Sequence, residues 1–356
     1  MQKEELNSNF QPVLLKKFLN KIFGPLLTRL ASNASAPDKK EVFKSLSKLL
    51  RYLNKNPGSR GLSLEVDFDI DKFIIFSDHH KGNKDHGDDF AGNEKNYLAA
   101  LDYYYSDKYN YVNLGDSEEL WKYKPDQVIS KNFKALTSEA RFHSQKKYFK
   151  TFGNHDLTWK NKLDVDIWFK RIFSLPLPVY EGLLLKTNID GKPLSVFLTH
   201  GHQGDKLSDN NVISTWLVSH IWRPLQRYLA LNVNTPAKDY ALRDKHNIMM
   251  YEWSSRKKNL ILITGHTHKP VFASGLYSDH PNNIIPGQNV KESGERNKLK
   301  PSYFNSGCCC YNDDDITGIE IERGKISLVK WHWEINSSKR TVLEEVELGK
   351  LVKDLQ

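Results

Sequence analysis

The chain has 356 residues, 39% of them hydrophobic and 12% aromatic, a composition that buries a substantial core and argues against disorder. Its net charge of +9 and pI near 9.1 suit a polyanionic partner in general (nucleic acid, anionic lipid headgroups or small phosphates) and select none of them. No run approaches the ~20 apolar residues of a membrane-spanning helix, and the three cysteines, all adjacent, exclude a disulfide framework.

The first ten residues are polar and include Glu4 and Glu5, with no small-residue cleavage site behind an apolar stretch. No targeting peptide is expected, and the chain is expected in the cytoplasm. Residues 1–60 read as a helical N-terminal extension. Val13 to Leu27 mixes apolar residues with Lys at helical spacing, broken at Gly24-Pro25. A basic amphipathic helix of this kind suits peripheral contact with the inner membrane surface, and it equally suits packing on the rest of the protein. A second helix is predicted over Lys39 to Asn54, with Phe43, Leu46, Leu49, Leu50 and Leu53 on one face and Asn56-Pro57-Gly58 as its stop.

Residues 61–336 carry five short motifs in order: Asp78-His79-His80, Gly115-Asp116, Gly153-Asn154-His155-Asp156, Thr199-His200-Gly201-His202 and Gly265-His266-Thr267-His268. Each closes a run of strand character, respectively Phe73 to Phe76, Tyr109 to Leu114, Tyr148 to Phe152, Val196 to Leu198 and Leu260 to Ile263. Singly, each reads as a solvated turn. Together they place potential ligands at the ends of neighbouring strands, where open α/β sheets gather their sites. Asp and Asn oxygens with imidazole nitrogens suit Mn²⁺, Fe, Zn²⁺ or Mg²⁺, and the lack of Cys in the motifs argues against a thiolate site. Asp78 and His80 stand two apart, which in an extended segment points them to one side and His79 to the other; His266 and His268 share that spacing. A carboxylate such as Asp116 can bridge two cations, the arrangement of two-metal hydrolases. The polar stretch Lys81 to Asp89 follows the first motif, and its Asn83, Asp85 and His86 read either as substrate contacts or as a solvated loop.

A helical insert is expected at about residues 205–256, where Trp216, Leu217, Ile221, Trp222, Leu225, Tyr228 and Leu229 recur at helical spacing. It reads as ordinary packing on the core or as a lid over an apolar substrate. Asp279 to Lys300 reads as an exposed loop. Cys308-Cys309-Cys310 reads as buried or partly buried thiols in a reducing compartment, because neighbouring side chains in a strand point to opposite faces and cannot jointly chelate one metal. Thr317 to Ile321 and Lys325 to Trp333 form a hairpin around Glu322-Arg323-Gly324. Residues 337–356 are expected as a charged peripheral helix.

The five motifs resemble those of the calcineurin-like metallophosphoesterase superfamily, whose pattern reads D-x-H, G-D, G-N-H-[DE], H, G-H-x-H. The match spans roughly residues 70 to 310 and fills every ligand slot. The resemblance implies an α/β fold, a four-layer α/β/β/α sandwich, here with the helical extension and insert added. It implies two divalent metal ions, Mn²⁺ foremost, the first on Asp78, His80 and His268 and the second on Asn154, His200 and His266, with Asp116 shared. A hydroxide between the metals would attack a phosphoester or pyrophosphate bond of a small phosphorylated or nucleotide-linked substrate. His155 would protonate the leaving group or clamp the substrate, and Asp156 would orient His155; His202 is left as a site-lining residue or a bystander. Within the superfamily, Gly115-Asp116-Ser117-Glu118-Glu119-Leu120-Trp121 and the later Tyr303-Phe304-Asn305-Ser306-Gly307 look like the UDP-2,3-diacylglucosamine pyrophosphohydrolase branch. The chain departs from that branch with Glu119 for its Asp and His155 for its Arg. Nucleases that share Gly-Asn-His-Asp are the alternative, and a scaffold that kept the fold and lost the chemistry is a further one.

Overall fold

The computed structural model describes residues 38–204, 240–273, 275–276 and 300–356. The expected first helix, the apolar stripe from Val212 to Val233 and nearly all of the loop after Asp279 lie outside the described residues.

Local chemistry explains the elements. Asp38 caps helix α1 (Lys39–Lys55) by accepting from the amides of Lys40 and Glu41, and Val42, Leu46, Leu49 and Leu53 form its buried face. The second expected helix is therefore present, with Phe43 and Leu50 at the margin of its packed stripe. Strands β2 (Phe73–Phe76) and β8 (Leu260–Thr264) are buried at every position. They read as continuous apolar runs because both of their faces are covered.

The described residues form two seven-stranded sheets. One is ordered β1 (Gly61–Glu65), β6 (Gly182–Ile189), β7 (Lys192–Thr199), β8, β11 (Tyr303–Asn305), β9 (Val271–Phe272), β10 (Gly275–Leu276). The other is ordered β14 (Ser337–Glu347), β13 (Lys325–Glu334), β12 (Ile316–Glu322), β2, β3 (Asn110–Leu114), β4 (Tyr148–Thr151), β5 (Val179–Tyr180). Strands β2 to β5 run parallel, as do β7, β8 and β11.

The pleat divides each strand between two cores. Phe73 and Ile75 of β2 meet Leu183, Val196, Ile261 and Ile263 of the other sheet. Ile74 and Phe76 point the opposite way, into a layer that includes helix α2 (Glu94–Ser106), helix α3 (Pro125–Lys131), helix α4 (Phe133–Ser144) and helix α5 (Lys162–Phe169), through Tyr97, Tyr104, Val128, Leu136, Phe142 and Val165. On the far side, Leu184, Phe197 and Leu262 pack under α1 and helix α6 (Tyr240–Ser255), the latter through Met249, Met250 and Trp253. The layers are thus helix, sheet, sheet, helix: the α/β/β/α sandwich expected.

The C-terminal expectation needs correction. Residues Ser337–Glu347 form a strand, not a helix, and only Leu348–Asp354 (α7) is helical. Two left-handed residues, Ile335 and Asn336, turn the chain tightly back on β13, pairing Glu334 with Ser337. The open edge of β13 then captures the segment, and Arg340 reaches the buried Glu320 with its guanidinium, Nε at 2.7 Å. Among the described residues no helix is long and apolar enough to cross a membrane.

Candidate metal centre

All five motifs begin where parallel strands end. Asp78 and His80 follow β2, Asp116 follows β3, and Asn154 and His155 follow β4, three adjacent strands of one sheet. His200 follows β7, and His266 and His268 follow β8, adjacent strands of the other. The C-terminal edges of both sheets therefore empty onto one rim.

The backbone there is not extended. Asp78, His80, Asp116, His266 and His268 all adopt left-handed conformations, with φ between 50° and 70°. Such conformations cost on the order of 1 kcal/mol or more each for residues with a Cβ, and they cluster where function needs them. Asp78 and His80 do approach each other, His80 Nε2 lying 4.0 Å from Asp78 Oδ1, but through two left-handed residues and not through an extended segment. Close approach also explains two glycines. A Cβ on Gly153 would lie 2.2 Å from Asp116 Oδ1, and one on Gly265 would lie 2.3 Å from Asp78 Oδ2.

The side chains converge. His268 Nε2 lies 3.0 Å from His80 Nε2 and 3.3 Å from Asp78 Oδ1. Asp116 Oδ2 lies 3.1 Å from His200 Nε2 and 3.9 Å from His80 Nε2. Asp116, His200 and His266 form one group whose ligand atoms lie within 4.8 Å of one another, and His80, Asp116 and His155 form another. The outer atoms of these ligands are tied down. Asp78 Oδ2 accepts from the His266 amide at 2.8 Å, Asp116 Oδ1 accepts from the His155 amide at 2.8 Å, and His200 Nδ1 pairs with the Leu114 carbonyl at 2.9 Å.

The inner atoms are not. Asn154 Oδ1 is buried with no hydrogen-bond partner, and Asp78 Oδ1 and His200 Nε2 face other candidate ligands, His268 Nε2 at 3.3 Å and Asp116 Oδ2 at 3.1 Å. A buried amide oxygen with no donor, beside carboxylates and imidazoles crowded on one another, calls for an unseen partner, and a hard or borderline divalent cation fits a set of carboxylate, amide oxygen and imidazole. The electrostatics agree. Burial raises the Asp78 carboxyl, but His200 and His268 outweigh it and hold it at about 2; burial lowers His200, but Asp116 and Asp78 lift it to about 9. The carboxylates are poised to hold positive charge.

His155 is partly exposed at the edge of this cluster, and its orienting partner is Glu119, not Asp156. Glu119 brackets His155 Nδ1 with oxygens at 2.9 and 3.0 Å and reaches His80 Nδ1 at 3.1 Å. Burial pushes Glu119 up, yet His155 and His80 hold its carboxyl well below the usual range. Trp121 stacks on the His155 ring with centroids 3.9 Å apart. The Asp156 carboxylate is instead taken by two amides, Ser117 at 2.8 Å and Gly153 at 2.6 Å, so it ties the second motif's loop to the third's. Burial, opposed by Lys150 and assisted by Asp116 and Glu118, lifts it to about 6. Glu119 was visible as an acid three residues after Asp116, but sequence alone gives no distance from it to His155.

Around the centre, His79 turns away from His80 and pairs with Tyr111 Oη at 3.1 Å. His202 is buried beside His200, ring centroids 5.4 Å apart, and joins none of the ligand groups. Asp85 accepts from the Gly87 amide and from Tyr123 Oη, so its carboxylate is used within its own loop; His86 is exposed. Behind the rim, Glu118 sits between Lys150 at 2.9 Å and Lys81 at 3.5 Å, all three buried.

No protein-family model matches the chain, and no curated protein does. Solved structures similar to it include Vps29 (vacuolar protein sorting 29) from Cryptosporidium parvum, 14% identical, covering 78% of this chain and 98% of that one with a TM-score of 0.31. A dimetal phosphatase from Danio rerio is 9% identical, with 77% and 99% covered and a TM-score of 0.35. Vps29 from Entamoeba histolytica complexed with Zn²⁺ is 13% identical, with 78% and 99% covered and a TM-score of 0.28. Likeness this distant leaves the chemistry to be read from the chain's own residues.

Proposed function

We propose that this protein is a dinuclear-metal phosphohydrolase of the calcineurin-like metallophosphoesterase type, acting on a phosphoester or pyrophosphate bond of a small nucleotide-linked or lipid-linked substrate. The observation that carries this reading is the crowding of ligand atoms, Asp116 with His200 and His266 and His80 with His268, together with the buried, unpartnered Asn154 Oδ1. Asp78, His80 and His268 would hold one cation and Asn154, His200 and His266 the other, with Asp116 between them. Bound there, two divalent cations, Mn²⁺ foremost, would supply Lewis acidity toward phosphoryl oxygens and lower the pKa of a water.

The protein groups do the rest. His155, held at Nδ1 by Glu119 and flattened against Trp121, presents Nε2 as a proton donor to the departing oxygen. The Glu119 carboxylate fixes that tautomer and the direction of the ring. The Trp121 face, beside His155, offers an apolar wall for a leaving group such as a nucleobase or sugar. Gly115-Asp116 through Leu120-Trp121 also resembles the UDP-2,3-diacylglucosamine pyrophosphohydrolase branch, which favours a pyrophosphate bond. The N-terminal basic stretch would supply peripheral contact with the inner membrane surface from the cytoplasmic side.

The test is an assay of the purified, Mn²⁺-loaded chain on aryl phosphate mono- and diesters, UDP-sugars, a UDP-linked diacyl glucosamine, and single- and double-stranded DNA. Release of a nucleoside monophosphate from the UDP substrates is expected. Degradation of DNA alone would move the chain to the nuclease class, and silence on every substrate with metal verified in place would favour the scaffold reading.

A further inference from the structure

Helix α1 turns its apolar side to the core and a nearly unbroken row of cations to solvent. Val42, Leu46, Leu49 and Leu53 are buried, and Trp253 of α6 donates to Ser47 Oγ at 3.0 Å, so the helix is fixed to the layer beneath it. Every exposed residue of α1 other than Asn54 is a Lys or Arg. Lys40, Lys44, Lys48, Arg51 and Lys55 follow one another at steps of four, four, three and four. On a helix of 3.6 residues per turn that is a single stripe, about 22 Å long. The one acid in the helix, Glu41, is taken by Lys44 at 3.1 Å, and Glu252 of α6 is taken by Lys39. Among the described residues, Lys40, Lys48, Arg51 and Lys55 pair with no carboxylate. Arg256, just past α6, extends the patch, its guanidinium 5.0 Å from the Phe43 ring.

The stripe weakens its own helix. Like charges four residues apart repel, and Lys39 and Lys40 stand in the first turn, where the helix dipole favours anions. A polyanion laid along the stripe reverses both effects. We propose that the α1 stripe is a docking surface for an anionic phospholipid bilayer, held by charge. The apolar side of α1 is committed to the core, so the helix adsorbs to headgroups and does not insert. Nucleic acid suits the stripe less well, because strand-binding surfaces pair their cations with open aromatic faces. The aromatics of α1, Phe43 and Tyr52, are half-buried and already lie under cations, Arg256 at 5.0 Å and Arg60 at 5.7 Å. The docking stands on α1 and needs nothing of residues 1–37. Its position also matters. A Cβ on Gly204 would lie 2.4 Å from the Val42 amide nitrogen, so the loop that carries His200 leaves the rim against the start of α1. A docked α1 would hold that loop beside the bilayer, where a lipid-linked substrate resides. This last step rests on the phosphohydrolase reading; the docking itself does not.

Co-sedimentation of the chelator-treated full chain with vesicles tests this. The wild type is expected to bind vesicles of phosphatidylcholine and phosphatidylserine in equal parts and to ignore vesicles of phosphatidylcholine alone. Salt at about 1 M, which shortens the screening length to about 3 Å, should release it. The variant Lys40→Gln/Lys48→Gln/Arg51→Gln/Lys55→Gln keeps residues 1–37 and good helix formers at every changed position. Its partition should fall on the order of 10²–10³-fold, the combined effect of four basic residues near a charged surface. The two-charge variants Lys40→Gln/Lys48→Gln and Arg51→Gln/Lys55→Gln should each fall part of the way. Undiminished binding by the four-charge variant would overturn the proposal and move the contact to another segment. Equal binding to phosphatidylcholine alone would overturn it by showing apolar insertion, and no binding to either vesicle would overturn it outright. Binding to single- or double-stranded DNA that the variant loses, with vesicles ignored, would reassign the stripe to nucleic acid. With no metal present, every outcome is separate from the phosphohydrolase reading, whose failure would show as inactivity with docking intact.

Discussion

Glu119 serves two histidines at once, bracketing His155 and touching His80. Removing the imidazole and removing its holder should therefore differ in degree. His155→Ala is expected to keep its metals and lose ~10²–10⁴-fold in turnover of esters with poor leaving groups, while Glu119→Gln loses less. Both variants should keep nearly full turnover of an activated aryl phosphate, whose leaving oxygen needs no proton; an equal loss on both substrate types, measured by steady-state kinetics, would remove the acid role. Glu118 makes a different prediction, of stability. Burial pushes its carboxyl up, but Lys150 and Lys81 hold it at about 2, below the model-peptide value of 4.5. A depressed carboxylate contributes stability above its unfolded pKa and loses it as pH falls through the folded one. Glu118→Gln takes the carboxylate from the buried Lys150, while Lys81 keeps Glu139, and should cost about 3–5 kcal/mol near pH 7. The gap to wild type, followed by denaturant titration, should close as pH falls from about 4.5 toward about 2; a gap that stays constant would mean that Glu118 is not ionised in the fold.

At the scale of elements, α6 supports the last motif from outside. Asn247 Oδ1 accepts from Thr267 Oγ1 at 3.0 Å and from Tyr303 Oη at 2.8 Å, and the His246 ring lies 4.9 Å from that of His266. Trp253, further along the same helix, is buried and donates to Ser47 Oγ of α1 at 3.0 Å. Asn247→Ala should thus leave the fold in place and weaken metal affinity roughly 10–100-fold, because it frees the loop that carries His266 and His268. Chelator-competition titration measures this, and an unchanged affinity would reduce α6 to a packing element. The helix α1, the strands β2 and β8 and the β12–β13 hairpin were legible in the sequence because their apolar spacing matches their period. β14 was not. Its charged, half-buried residues carry no strand signal, and what makes it a strand is the open edge of β13 and a turn at Ile335-Asn336 that local propensity does not announce.

For the molecule as a whole, two sheets must stay in register for their ends to meet, so the centre and the fold are thermodynamically linked. A cation that binds only the folded state stabilises it by mass action, by about 2.7 kcal/mol at a hundredfold excess over Kd. The melting temperature is therefore expected to rise with Mn²⁺ or Zn²⁺ in the wild type and to stay flat in Asp116→Asn, measured by calorimetry. A rise of equal size in both would place the bound metal elsewhere. The order and chemistry of the five motifs were determined by the sequence alone, because ligand types and strand-ending spacing are local properties. Tertiary structure decided which carboxylate serves His155, which is held by backbone amides, and that Gly204 lies against Val42 of α1. Those are distances between segments far apart in the chain, set by strand order and by packing across three cores, and no local pattern encodes them.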